Sequence, residues 1–276
     1  MIINCSIVVY KNTKDQIKEV IECCLNYSNL RIILIDNSPT DSLKECSLLY
    51  PNIRYIHNPL NPGFGAGHNI AFKYSIDEKV KYHIIINPDI YFDRNVIENL
   101  VHYFEKNHNI GVIMPKIVYP DGRIQRLAKL IPNPLQYFAR RFIPIQWIKN
   151  KINGQYELID YDYSYPLDAP FLSGCFLIFR VDVLKEINGF DENIFLYFED
   201  NDICRNILKS GYRTLVYPFV SVVHDHTPKT FLNLNNLKIY FKSGIYYFSK
   251  WGWIFDKERL SYNAHTLLQI QEKTSE

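Results

Sequence analysis

The chain has 276 residues, enough for one large domain with or without an extension. A formal charge of +2 offers no electrostatic footprint for nucleic acid, and no apolar run approaches the roughly 18 residues of a membrane span. Six scattered cysteines without a C-x-x-C pair argue against a disulfide framework or a zinc site. With an N-terminus, "MIINCSIVVYKN", that has neither a basic region nor a cleavage site, reduced thiols and a cytoplasmic protein are the expectation.

The elements follow in order. "NCSIVVY" (4–10) is a short β-branched run and "DQIKEVIECCLNY" (15–27) has helical spacing, with Cys23 and Cys24 pointing in different directions. "RIILID" (31–36), "NIRYIHN" (52–58) and "KYHIIIN" (81–87) predict further strands, with a helix at 66–78 after a glycine loop. Strands alternating with helices imply a parallel sheet covered on both faces, whose ligands gather beyond the carboxyl ends of the strands. After about residue 110 the pattern changes. "GVIMPKIVY" and "PDGRIQRLA" read as a hairpin around Asp-Gly, and 129–165 as an irregular excursion. "LSGCFLIFR" (172–180) predicts a buried strand, "VDVLKEI" a short helix, and 199–210 a helix closed by Gly211. "YRTLVYP" and "VSVVHDH" predict two late strands, and 233–255 an aromatic, basic helix or helix pair.

Several motifs carry two readings each. "NPGFGAGHN" (61–69) is either a turn before a helix or a glycine loop that lets backbone approach a nucleotide. It is no dinucleotide fingerprint, because it does not follow the first strand and lacks the acid expected about 20 residues on. Asp36 either closes a turn with Ser38 and Pro39 or accepts the imide N–H of a pyrimidine. Asp89, just past a buried strand in "NPD", is either a turn residue or a ligand for a divalent cation. His224 is either structural or a further cation ligand, best suited to Mn²⁺. "FLYFEDNDIC" (195–204) brings Glu199 and Asp200 straight out of an apolar run. They either open a helix on its positive end or include a working base; Asp202 reads as helix surface.

Taken in order, "SIVVYKN", "LIDNSPTD", "NPGFGAGHN", "IINPDI", "YPDGRIQR", "LSGCFLIFR", "GFDENIFLYFEDNDICRNILKSGYRTLVYP" and "VVHDH" resemble the family 2 glycosyltransferases of GT-A fold, most of all their rhamnosyltransferase branch. The resemblance covers residues 3–227. It implies a catalytic domain over 1–228, with a nucleotide-binding half (1–110) and an acceptor-binding half (111–228), and a helical extension over 229–276. It implies donor contacts from Val9, Tyr10, Asp36, Asn37, Gly63, Gly65, Gly67, Asn69, Asn87 and Pro88. Asp89 and His224 would hold a divalent cation, Mn²⁺ or Mg²⁺. Asp200 would be the base and Glu199 its neighbour in orienting it or binding acceptor. The family's usual Asp-x-Asp is Asn87-Pro88-Asp89 here, which removes one carboxylate. The implied reaction is inverting transfer of a sugar, L-rhamnose from dTDP-rhamnose by branch and a UDP-hexose as the alternative, to a glycan or lipid-linked saccharide; a non-catalytic sugar-nucleotide subunit is the other reading. A nucleotidyltransferase would need a basic, Gly-rich N-terminal signature that "SIVVYKNTKDQ" lacks.

"ARRFIPIQWIKNKI" (139–152) and "LKIYFKSGIYYFSKWGWIFDK" (237–257) interleave basic and aromatic residues. This pattern suits peripheral contact with an anionic membrane face, or else packing against the catalytic domain or a second subunit.

Overall fold

The computed structural model describes residues 1–50, 52–139, 154–226 and 234–275. Its first half is the predicted alternation: β1 (Ile3–Val9), α1 (Lys14–Leu25), β2 (Leu30–Asp36), α2 (Lys44–Leu49), β3 (Ile53–His57), α3 (Phe64–Asp77) and β4 (Tyr82–Ile86). These strands run parallel in the order β3-β2-β1-β4. Alternation along β2 decides which helix each residue meets. Ile32 and Leu34 share a cluster with Ile17, Val20 and Cys24 of α1, whereas Ile33 and Ile35 pack with Ala71 of α3 on the other face. A sheet covered on both faces favours apolar residues on both sides of each strand, hence the unbroken "IILI" (32–35) and "III" (84–86) runs.

The second half comprises β5 (Ile90–Tyr91), α4 (Asn95–Lys106), β6 (Ile110–Val118), β7 (Ala128–Lys129), α5 (Pro134–Ala139), β8 (Leu167–Asp168), β9 (Phe171–Leu172), β10 (Phe176–Arg180), α6 (Val181–Ile187), α7 (Glu199–Lys209) and β11 (Arg213–His224). β10 enters antiparallel between β4 and β6, and β11 lies parallel to β6, so the whole is a mixed, mostly parallel sheet. Three expectations are corrected. The strand over 172–180 is broken at Ser173–Cys175 into β9 and β10. The two late strands are one, with its register on β6 shifted between Tyr217 and Ser221, around Pro218, which has no N–H to give. The Asp-Gly turn forms, with Gly122 at φ +83° and Tyr119 N–H donating to Arg123 C=O at 2.8 Å. Its return arm, however, makes only an isolated bridge from Ile124 to Val118 instead of a second strand.

The C-terminal helices α8 (Leu234–Trp251) and α9 (Lys257–Ser275) run past the 233–255 stretch and fall within the expected 229–276 helical extension. Tyr247 and Phe248 of α8 pack with Ile131, Ile194 and Phe198, and Ile270 of α9 joins the main core. The α9 hydroxyl of Thr266 donates to Asp168 C=O at 2.7 Å. Among the described residues no helix is long and apolar enough to cross a membrane.

Candidate active site

The carboxyl end of the sheet carries three groups of residues. In the first, β1 and β2 end side by side, and Asn37 N–H donates to Val9 C=O at 2.9 Å. Val9, Tyr10, Lys11, Asn37, Gly63 and Phe64 line one side of a cavity of about 490 Å³, and Phe195, Asn235 and Ile239 line the other. Gly63 is the residue the wall requires. Its φ is +109°, and a Cβ there would lie 2.2 Å from Phe195 O.

Four expected donor contacts are placed differently. Gly65 and Gly67 lie inside α3, where a Cβ would press on Phe190 in one case and on Val8 and Asn37 in the other; their smallness serves helix packing. The Asn69 amide donates to Phe190 C=O and Glu192 and accepts from Phe190 N–H, each at 2.9 Å, so it ties α3 to the loop after α6. Asp36 is fully buried and adopts the turn reading: it accepts from Ser38 N–H at 2.9 Å and from Tyr55 hydroxyl at 2.8 Å.

The second group is Asp89, His224 and His226, whose nearest ligand atoms all lie within 4.8 Å of one another. β5 pairs with β11 so that Ile90 opposes His224, and Asp225 N–H donates to Asp89 C=O at 2.9 Å. Asp89 Oδ1 and His224 Nε2 are 3.3 Å apart, both buried, and neither has a hydrogen-bond partner. Burial would raise the Asp89 carboxyl, but the two imidazoles outweigh it and hold the acid well below its ordinary range. Two nitrogens and a carboxylate suit a transition-metal cation better than a purely hard one. Reading the sequence singled out His224 and missed His226; the His-x-His spacing on a strand, which puts both on one face, was the available signal.

The third group opens α7. Tyr197 and Phe198 both take left-handed φ (66° and 75°), a costly pair for aromatic residues, and turn the chain sharply into the helix. Ser243 of α8 holds this turn by donating to Leu196 C=O at 2.7 Å, and Tyr247 stacks on Phe198 at 4.3 Å. Asp200 accepts from Asn201 N–H at 2.9 Å and from Gly174 N–H at 3.3 Å. Burial raises its carboxyl to about 6, against the lowering pull of those N–H groups and of Lys129. Glu199 is pushed up as well, by burial and then by the Asp200 charge, and its Oε2 is buried without a hydrogen bond. Two adjacent carboxyls both raised by burial are a candidate for proton transfer. The segment Ser173–Cys175 joins this group to the second: Cys175 C=O accepts from Asn87 N–H at 2.8 Å. The Cys175 thiol is pushed to about 12 by burial first and then by Asp89, with Asp200 adding to it.

Asp202, expected on the helix surface, is fully buried. It accepts from Trp251 Nε1 at 2.7 Å and from Lys250 at 2.9 Å, because the end of α8 covers this face of α7.

A model of glycosyl transferase family 2 matches residues 5–188. The chain belongs to that family. As a family 2 glycosyltransferase it is 25% identical over 72% of its length to the N-acetylglucosaminyl-diphospho-decaprenol L-rhamnosyltransferase of Mycobacterium tuberculosis, spanning 67% of that protein. It is also 25% identical over 82% of its length to the rhamnosyltransferase WbbL of Escherichia coli, spanning 86% of it. Among solved structures it matches GalNAc-T7 with UDP, GalNAc and Mn²⁺ at a TM-score of 0.62 and 15% identity, over 87% of this chain but 47% of that one. It matches the mannosyltransferase PcManGT of Pyrobaculum calidifontis at 0.57 and 12%, over 98% of this chain and 75% of that one. These structural matches establish the GT-A-like fold of this glycosyltransferase.

Proposed function

We propose that the chain transfers L-rhamnose from dTDP-rhamnose, with inversion, to a hydroxyl of a lipid-linked or cell-surface saccharide. The observation that carries the chemistry is Asp200. Its carboxylate is fixed by two backbone N–H groups at the head of α7 and its pKa is raised to about 6, which suits a group that takes a proton from an attacking hydroxyl near neutral pH. Glu199, held neutral, donates a hydrogen bond to the acceptor. The donor's nucleoside lies in the cavity bounded by Val9, Tyr10, Asn37 and Gly63, with its diphosphate toward Asn87, Pro88 and Asp89. Asp89, His224 and His226 hold a divalent cation, Mn²⁺ before Mg²⁺ given the imidazoles. When bound, such a cation neutralises the charge of a departing diphosphate. The sugar and acceptor class are supported by the names of the rhamnosyltransferases the chain resembles. Incubating the protein with dTDP-rhamnose and UDP-hexoses and following nucleoside diphosphate release tests this; release from UDP-hexoses alone overturns the rhamnosyl reading.

We read the C-terminal helices as the side that meets a membrane, chiefly at the far end of the 237–257 stretch. Tyr247 and Phe248 are buried and Lys250 is bound to Asp191 and Asp202, so part of that stretch packs inward, while Lys238 and Lys242 stay exposed. The turn between α8 and α9 instead leaves Ile254 76% and Phe255 94% exposed, beside Trp253. Nearly all of the stretch 139–152 lies outside the described residues. A second copy of the chain is the other occupant of this tip.

A further inference from the structure

Gln125 sits in "YPDGRIQR", on the arm that returns from the Asp-Gly turn, and is 4% exposed. Its backbone N–H donates to Ile117 C=O at 2.9 Å, which fixes it beside the end of β6. From there its side chain meets His224 twice. The Gln125 Nε2 donates to His224 C=O at 2.6 Å, and Gln125 Oε1 lies 2.9 Å from His224 Nδ1.

The chemistry of these two contacts leaves little freedom. A backbone carbonyl only accepts, so the amide nitrogen must face it and the amide oxygen must face the ring. An amide oxygen also only accepts, so Nδ1 must carry hydrogen. In a neutral imidazole the other nitrogen, Nε2, is then a bare lone pair. That lone pair faces Asp89 Oδ1 at 3.3 Å, another acceptor, and neither atom has a hydrogen bond. Two buried acceptors facing one another are unfavourable unless something positive joins them, either a second ring proton, the form in which His224 lowers the Asp89 carboxyl, or a metal cation. We infer that Gln125 is a positioning residue for the cation reading of this site: it holds the His224 ring in the Nδ1–H form, so that Nε2 and Asp89 present lone pairs to one cation. Without Gln125 the ring is free to place a proton on Nε2, donate it to Asp89, and close the site to metal. Ligating histidines are commonly fixed this way by a partner on the opposite nitrogen, and removing such a partner weakens metal binding by roughly 10- to 100-fold.

The inference rests on the proposed cation at Asp89, His224 and His226, and its test separates the two. Mn²⁺ affinity of the purified protein, with and without UDP, is read from the free-Mn²⁺ paramagnetic resonance signal for the wild type, Gln125→Leu and Gln125→Glu. Gln125→Leu should bind Mn²⁺ about 10- to 100-fold more weakly, and Gln125→Glu, which still accepts from Nδ1, should lose less. Equal Mn²⁺ affinity of a folded Gln125→Leu and the wild type overturns the inference. In parallel, ¹⁵N spectra of the histidine rings in the wild type, with His224 assigned by His224→Asn, should show Nδ1 protonated and Nε2 bare at pH 8. A bare Nδ1, or a proton on Nε2, overturns the inference whether or not any variant folds. Absence of Mn²⁺ binding by the wild type overturns the cation reading itself, while the ring spectrum still decides what Gln125 does to His224.

Discussion

Arg205, six positions along the helix that Glu199 begins, is gripped through both terminal nitrogens by Asp256, at 2.7 and 2.9 Å. Both side chains are almost wholly buried, and the guanidinium also lies over the Trp251 ring at 4.3 Å. Breaking such a pair leaves one charge in the interior, at a cost of about 3–5 kcal/mol. Asp256→Ala should therefore lower unfolding stability by about that amount, measured by urea denaturation. A loss under about 1 kcal/mol, the scale of an exposed pair, would mean that Arg205 reaches water or another acceptor.

Asp200→Asn should retain donor binding and lower turnover by about 10²-fold or more. Because the acid must be ionised to act, kcat/KM of the wild type should fall as pH drops below about 6, by roughly tenfold per unit. Steady-state rates between pH 5 and 8 show the limb, and it should vanish in Asp200→Asn. A wild-type profile flat to pH 5 would remove Asp200 from the base role.

The buried pair His68 and His83 should make folding sensitive to acid. Ser6 hydroxyl links the two rings at 2.6 and 2.8 Å, and Ser75 and Asn4 extend the network. Burial lowers both imidazoles, His83 to about 3. Below about pH 6.5 the unfolded chain takes up protons that the folded chain refuses, so stability is present above that pH and is lost as pH falls. The His83 ring should contribute a slope of about 1.4 kcal/mol per pH unit between pH 6 and 4, and His68 adds in the same direction. Urea unfolding at stepped pH measures it, and His83→Gln should reduce the slope.

If the α8–α9 turn meets lipid, Ile254→Ser with Phe255→Ser should abolish flotation with anionic liposomes while leaving activity on a water-soluble acceptor intact. Lys250→Glu is the wrong control, since Lys250 pairs with Asp191 and Asp202 and its reversal should unfold this corner. A wild type that never floats at low salt, and sediments as a dimer, assigns the tip to a second copy.

Much of the first half was legible because a parallel sheet writes itself locally: β-branched runs, short helices between them, and turn chemistry at each carboxyl end. Asp89, His224 and Asp200 stood out for the same reason, each at the end of an apolar stretch. What escaped was decided at a distance. Gln125 acts on a residue 99 positions away, and nothing in "DGRIQR" announces that partner. Asp202 looked like an exposed helix position because the side chains that cover it come from Lys250 and Trp251. Asn69 and the glycines at 65 and 67 were read as donor contacts, whereas α3 starts at Phe64 and gives them packing duties.

The hold of α8 on Leu196 and Phe198 bears on how this enzyme can be recombined. Residues 1–228 look like an exchangeable cassette, but Arg205 and Asp202 carry charges whose counterparts, Asp256 and Lys250, lie beyond any such junction. A chimera joining this cassette to foreign C-terminal helices would inherit two stranded charges and an unsupported turn ahead of Asp200. Swapping tails therefore requires carrying α7 along with them, so the exchangeable unit is discontinuous in sequence.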